Sequence, residues 1–155
     1  MTYEQSTFEE VRKAICGIIE YEPQESFELT PNEIFCVIEE TGIILEGEPI
    51  NGWAQFESGQ QDLSTAELLE QTNIDLEDES VTFIVTDECF KDEKAYAVKS
   101  NEIIEFAENI YPELHGMNFI QPFDILLINA KNKRISMIHH EGQLMKYEWT
   151  CANKR

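Results

Sequence analysis

FDILLINAKNKRISMIHHEGQLMKYEW, residues 123–149, decides the fold. Three apolar-rich runs, Phe123–Asn129, Arg134–His140 and Gln143–Trp149, are joined by AKNKR and by Glu141-Gly142. Runs of this length bounded by tight polar connections are predicted strands. Connections this short leave no room for a crossover, so the neighbours must run antiparallel. The C-terminal part is therefore read as a three-stranded meander.

Towards the N-terminus, helical periodicity takes over. Ser6 with Glu9 forms a capping-box pattern, and Phe8, Val11, Ile15, Ile18 and Ile19 follow on one face until Pro23 ends it. Thr30, Pro31 and Glu33 open a second helix with Ile34, Phe35, Val37 and Ile38 inward and Gly42 as its stop. Residues 43–62 read as a short strand and then turn-rich chain anchored by Trp53 and Phe56. Ser64 and Glu67 start a short third helix with Leu68 and Leu69 inward. Val81–Thr86 is a predicted buried strand and Ala95–Val98 another. Ser100 is the expected cap of a fourth helix bearing Ile103, Ile104, Ala107, Ile110 and Tyr111, stopped by Pro112.

No internal repeat or low-complexity linker divides the 155 residues, so one domain spanning 1–155 is expected. The fold class is α+β: about four helices on one face of a mostly antiparallel sheet that ends in the C-terminal meander.

Charge is distributed very unevenly. From Ala14 to Phe90 there is no Lys or Arg, yet the stretch holds 19 carboxylates. Residues 1–90 carry 22 acids and 2 bases, whereas residues 91–155 carry 9 of each, so the net charge of −20 resides in one part of the chain. Such a field draws in cationic partners, speeds their association, and repels nucleic acid and anionic membrane. A general adaptation for solubility would spread acids over the whole surface; this asymmetry favours a directed role.

Several function classes are disfavoured. No apolar run approaches a membrane span, and MTYEQSTFEE lacks the pattern of a signal peptide, so a cytoplasmic location is expected. Cys16, Cys36, Cys89 and Cys151 are dispersed with no C-x-x-C, as reduced structural thiols would be. No G-x-S-x-G, H-E-x-x-H, P-loop or G-x-G-x-x-G occurs, so neither catalysis nor a cofactor is expected. Asp75–Glu79 lacks the central Gly and closing Glu of a calcium loop. His139-His140-Glu141 is the most site-like group, with His115 as a possible third ligand. Adjacent strand residues face opposite sides of a sheet, however, so no shared metal is expected there. Of the basic residues, only Lys131, Lys133 and Arg134 cluster, at a turn, which gives no footprint for a polyanion.

In size, Glu/Asp excess and lack of catalytic residues, with the carboxylates of Glu46–Glu88 as its main support, the chain resembles the small acidic immunity proteins of bacterial toxin systems, including contact-dependent growth inhibition. Those proteins have many folds, so the resemblance implies a function and no particular architecture. It implies a monomer that binds a basic toxin domain, a nuclease for preference, one to one. The nominated contact residues are Glu46, Glu48, Glu57, Asp62, Asp75, Glu77, Asp78, Glu79, Asp87 and Glu88, with Trp53 and Phe56 as aromatic anchors. The alternatives are a nucleic-acid mimic that inhibits a DNA- or RNA-handling protein, and a small metabolite-binding regulatory domain.

Overall fold

The computed structural model describes residues 2–53, 63–120 and 124–150. Its centre is the predicted meander. The strands Ile125–Asn129, Arg134–His139 and Gln143–Glu148 pair antiparallel in succession, with Leu127 opposite Ser136 and Ser136 opposite Lys146. In chain order the strands are β1 (Glu4–Thr7), β2 (Glu48–Pro49), β3 (Val81–Thr86), β4 (Lys94–Lys99) and the meander strands β5, β6 and β7. They form one antiparallel sheet in the order β1-β4-β3-β5-β6-β7-β2.

Two strands differ from expectation. β1 (EQST) carries no apolar alternation and is held by backbone pairing to β4, so the sequence pattern gave no sign of it. Residues 43–47 form no strand; the pairing begins at Glu48 and lasts two residues, because Pro49 has no amide to continue a ladder.

Helix α1 (Phe8–Ile19) buries Phe8, Val11, Ile15, Ile18 and Ile19, as its periodicity requires. Its cap is Thr7 rather than Ser6: the Thr7 hydroxyl accepts the Glu10 amide at 3.2 Å, while Ser6 belongs to β1 and donates to the Glu10 carboxylate at 2.8 Å. Helix α2 (Pro31–Glu40) is capped by Thr30, which accepts from the Glu33 amide, and Gly42 follows at φ +92°, where a side chain would be strained. Helix α3 (Thr65–Glu70) has the full capping box of Ser64 and Glu67, with Leu68 and Leu69 completely buried.

The fourth helical run departs more. A 3₁₀ turn at Ser100–Glu102 leads into α4 (Ile103–Glu105), a π turn at Phe106–Ile110 and α5 (Tyr111–His115). Pro112 does not stop the helix. The widened π turn, in which the Tyr111 amide reaches back to the Phe106 carbonyl, absorbs the missing proline donor, and the helix runs on to a left-handed cap at Gly116. Ser100 does not cap either; its hydroxyl is buried in a polar network under the sheet.

The helices cover both faces of the sheet, not one. The strand registers place Tyr96, Ile84, Leu127 and Ser136 on the same face. There Tyr96 meets the rings of Phe106 and Tyr111, and Ser136 donates to Asn73, so the Ser100–His115 run and the α3–β3 connection cover that side. Because β5 is buried along its whole length, the other face is covered too. α1 against β4 and β5, and α2 against β6, supply that cover. A central strand buried on both sides reads as the continuous apolar run ILLI, which does not distinguish one covered face from two.

Candidate functional site

Every described carboxylate between Ala14 and Phe90 is exposed except Asp78 and Glu88, which are half-buried. The acidic stretch of the sequence is therefore an acidic surface. The fold nevertheless separates the nominated residues into groups. Asp75, Glu77, Asp78 and Glu79 precede β3; Asp87 and Glu88 follow it. Six strand residues lie between, about 20 Å. Thr86, Ile125, Ile138, Leu144 and Glu48 form one row across the sheet, so Glu48 lies at the Asp87 end but four strands away, roughly 19 Å. Glu48 pairs there with Lys146 at 3.5 Å, and Glu46 is exposed just before it. Trp53 is half-buried against the β6–β7 turn. Phe56, Glu57 and Asp62 lie outside the described residues.

The Asp75–Glu79 group is not uniform. Asp75 accepts the Glu77 amide at 3.0 Å, closing a local turn. The Asp78 carboxylate accepts from the Ser80 hydroxyl and from Asn132 Nδ2, and these bonds hold its pKa below the ordinary value. The Asp78 carbonyl also receives the Asn101 amide. Asp78 thus fixes the connection, while Asp75, Glu77 and Glu79 remain exposed beside it.

A concave feature rimmed by acids was missed by pattern reading. After α1, Glu20 adopts a left-handed conformation at φ 54° and turns the chain back across the helix. The return is fastened by Arg12 Nε donating to the Phe27 carbonyl at 2.8 Å and by the Tyr21 hydroxyl donating to Glu40 at 3.0 Å. Two clefts result. The larger, about 660 Å³, is lined by Glu9, Glu20, Glu22 and Glu25 together with the bases Arg12 and Lys13, and by Cys16 and Phe27. The smaller, about 470 Å³, has Glu25, Glu33, Glu40 and Cys36 on its rim. In the sequence these acids look like the solvent face of two helices, and only the left-handed turn at Glu20 reveals the concavity. Of the three described cysteines, all free, Cys89 alone is buried; Cys36 is exposed, contrary to a structural role.

At the far end of β3, Glu88 pairs with Lys91 and faces His115 Nδ1 at 3.8 Å; the Lys91 contact holds its pKa low. His115 Nε2 also bonds the Tyr96 hydroxyl. Burial pushes the Tyr96 hydroxyl upward and that of Tyr111 to about 12, so both stay protonated as packing and hydrogen-bonding groups. Next to them, Asp87 lies against Asp124, whose amide it accepts, and partial desolvation of its otherwise exposed carboxyl, followed by the Asp124 charge, raises its pKa.

The histidine pair corrects the strand-alternation expectation. β6 ends at His139, so His140 belongs to the turn and is not bound to the opposite face. The two rings lie 4.1 Å apart at 31°, and His140 Nδ1 meets Asp124 Oδ1 at 2.9 Å. His115 does not join them; it is engaged by Tyr96 and Glu88.

Among the described residues no helix is long and apolar enough to cross a membrane. No protein-family model, curated protein or solved structure matches the chain.

Proposed function

We propose that this chain is an immunity protein that neutralises a basic toxin domain, a nuclease first among the candidates, as a cytoplasmic monomer binding one to one. The observation that carries the reading is the base-free stretch from Ala14 to Phe90, whose described carboxylates stand almost entirely in solvent. Exposed acids at this density repel one another and destabilise the fold, which is reasonable where their field is used. A nuclease holds phosphates with Lys and Arg, and a carboxylate surface can occupy the same groups. Steering would bring association towards about 10⁸–10⁹ M⁻¹s⁻¹ at low salt, fast enough to intercept an incoming toxin.

We extend the proposed contact surface to the concave side of α1 and α2. Carboxylates outnumber Arg12 and Lys13 around the larger α1–α2 cleft and stand without a base around the smaller, so Glu20, Glu22, Glu25 and Glu33 join Asp75, Glu77 and Glu79 as proposed contacts for cationic side chains. A neutral metabolite fits these clefts less well, because their rims are charged. The test is association kinetics with the toxin domain encoded beside this chain, across a salt series. Glu22→Lys with Glu25→Lys should slow association about tenfold and flatten its salt dependence. Unchanged rate and slope in this pair and in Glu77→Lys with Glu79→Lys would overturn the reading.

A further inference from the structure

We propose that Asp124, His139 and His140 form a site for one divalent transition-metal ion of the zinc class. The proposal does not rest on the toxin-binding reading. One donor atom from each of the three side chains lies within 4.8 Å of the other two. Bonds of about 2.1 Å to a tetrahedral ion set donors roughly 3.4 Å apart, so small side-chain rotations close the set. Closing the set exchanges existing hydrogen bonds for metal bonds, since His139 Nδ1 accepts the Glu141 amide at 3.2 Å and His140 Nδ1 meets Asp124 Oδ1 at 2.9 Å.

The backbone around them is well anchored. Asp124 stands immediately before β5 and accepts both the His140 amide, at 3.0 Å, and the His140 ring nitrogen. The Gly142 amide closes the turn on the His139 carbonyl at 2.9 Å, and Gly142 sits at φ +87° beneath Trp53. Three elements therefore deliver the ligands: the lead into β5, the end of β6 and the turn that follows. Asp87, which accepts the Asp124 amide, adds a second carboxylate behind the first and deepens the negative potential.

Two imidazoles and one carboxylate select a borderline ion such as Zn²⁺ or Co²⁺ over Mg²⁺ or Ca²⁺, which prefer oxygen alone. Three protein donors leave the fourth position open on the solvent side of His140, for water or for a partner's side chain.

The test uses the full chain carrying Cys36→Ser and Cys151→Ser, which removes as competing ligands the one exposed thiol among the described residues and the thiol outside them. After chelator treatment it is titrated with Co²⁺ in excess Mg²⁺, which occupies carboxylate-only sites. One Co²⁺ per chain with visible ligand-field bands is expected, and His139→Ala and His140→Ala should each weaken uptake at least about tenfold. Asp124→Asn, which keeps a hydrogen-bond acceptor, serves if a histidine variant does not fold. Absence of uptake, or uptake unchanged in the histidine variants, would overturn the proposal.

Discussion

Asn132 Nδ2 donates to the Asp78 carboxylate at 3.1 Å, fastening the acidic connection before β3 to the basic turn after β5. The bond divides acids that look alike in sequence: Asp78 is a structural group, and its neighbours Glu77 and Glu79 are exposed ones. It also gives a pH dependence. Because hydrogen bonds from Ser80 and Asn132 lower the folded pKa of Asp78 below its ordinary 3.8, its contribution is complete above about pH 4. That contribution is lost as the pH falls through the lowered folded value. Asp78→Asn should flatten the acid limb of stability, read from denaturant midpoints against pH; an unchanged limb would mean the bonds do not favour the ionised form.

Asp87 should show the opposite sign. Its folded pKa is raised by partial desolvation and by Asp124, so its ionisation opposes folding and stability falls as pH rises through the raised value. In chelated protein, Asp87→Asn should be more stable than the parent at neutral pH, with the difference closing near pH 4. Equal midpoints at both pH values would contradict this.

Asn129 is wholly buried, and its Nδ2 serves the hydroxyls of Ser80, Thr82 and Ser100 at 2.9–3.1 Å while its Oδ1 accepts the Asn132 amide. Asn129→Ala should cost about 3 kcal/mol by urea unfolding, with an unchanged m value, since several buried polar groups lose a partner. A cost below about 1 kcal/mol would show that the Thr82 and Ser100 hydroxyls, 2.7 Å apart, satisfy each other.

Gly142 adopts φ +87°, and a Cβ there would stand 2.5 Å from Trp53 Cδ1. Gly142→Ala should destabilise by about 2 kcal/mol or more and alter Trp53 fluorescence. An unaltered emission spectrum would place Trp53 away from the turn.

Much of the fold was legible because local chemistry and tertiary demand agree. The meander followed from three apolar runs and two short connections, and α2 and α3 from Thr30 and Ser64 with their partner glutamates. What escaped has physical reasons. β1 is held by backbone bonds that side chains do not encode, and the run through Pro112 depends on a π turn set by packing. The sidedness of the helices was hidden because a strand buried on one or both faces can read alike. At the candidate site the sequence revealed the sign and extent of the charge. It did not reveal that β3 parts Glu79 from Asp87, that Glu20 folds a cleft, or that the strand ends between His139 and His140.

The central claim is most directly tested by immobilising the full chain and capturing proteins from a lysate of its source organism at low salt and at about 0.15 M salt, where screening confines steering to roughly 8 Å. Captured proteins are identified by mass spectrometry, and the retained one is expressed with and without this chain. The account predicts a single basic toxin domain retained at the higher salt, whose growth inhibition is abolished by co-expression. A mixture of basic proteins that washes away with salt, or a retained protein whose toxicity persists, would contradict it.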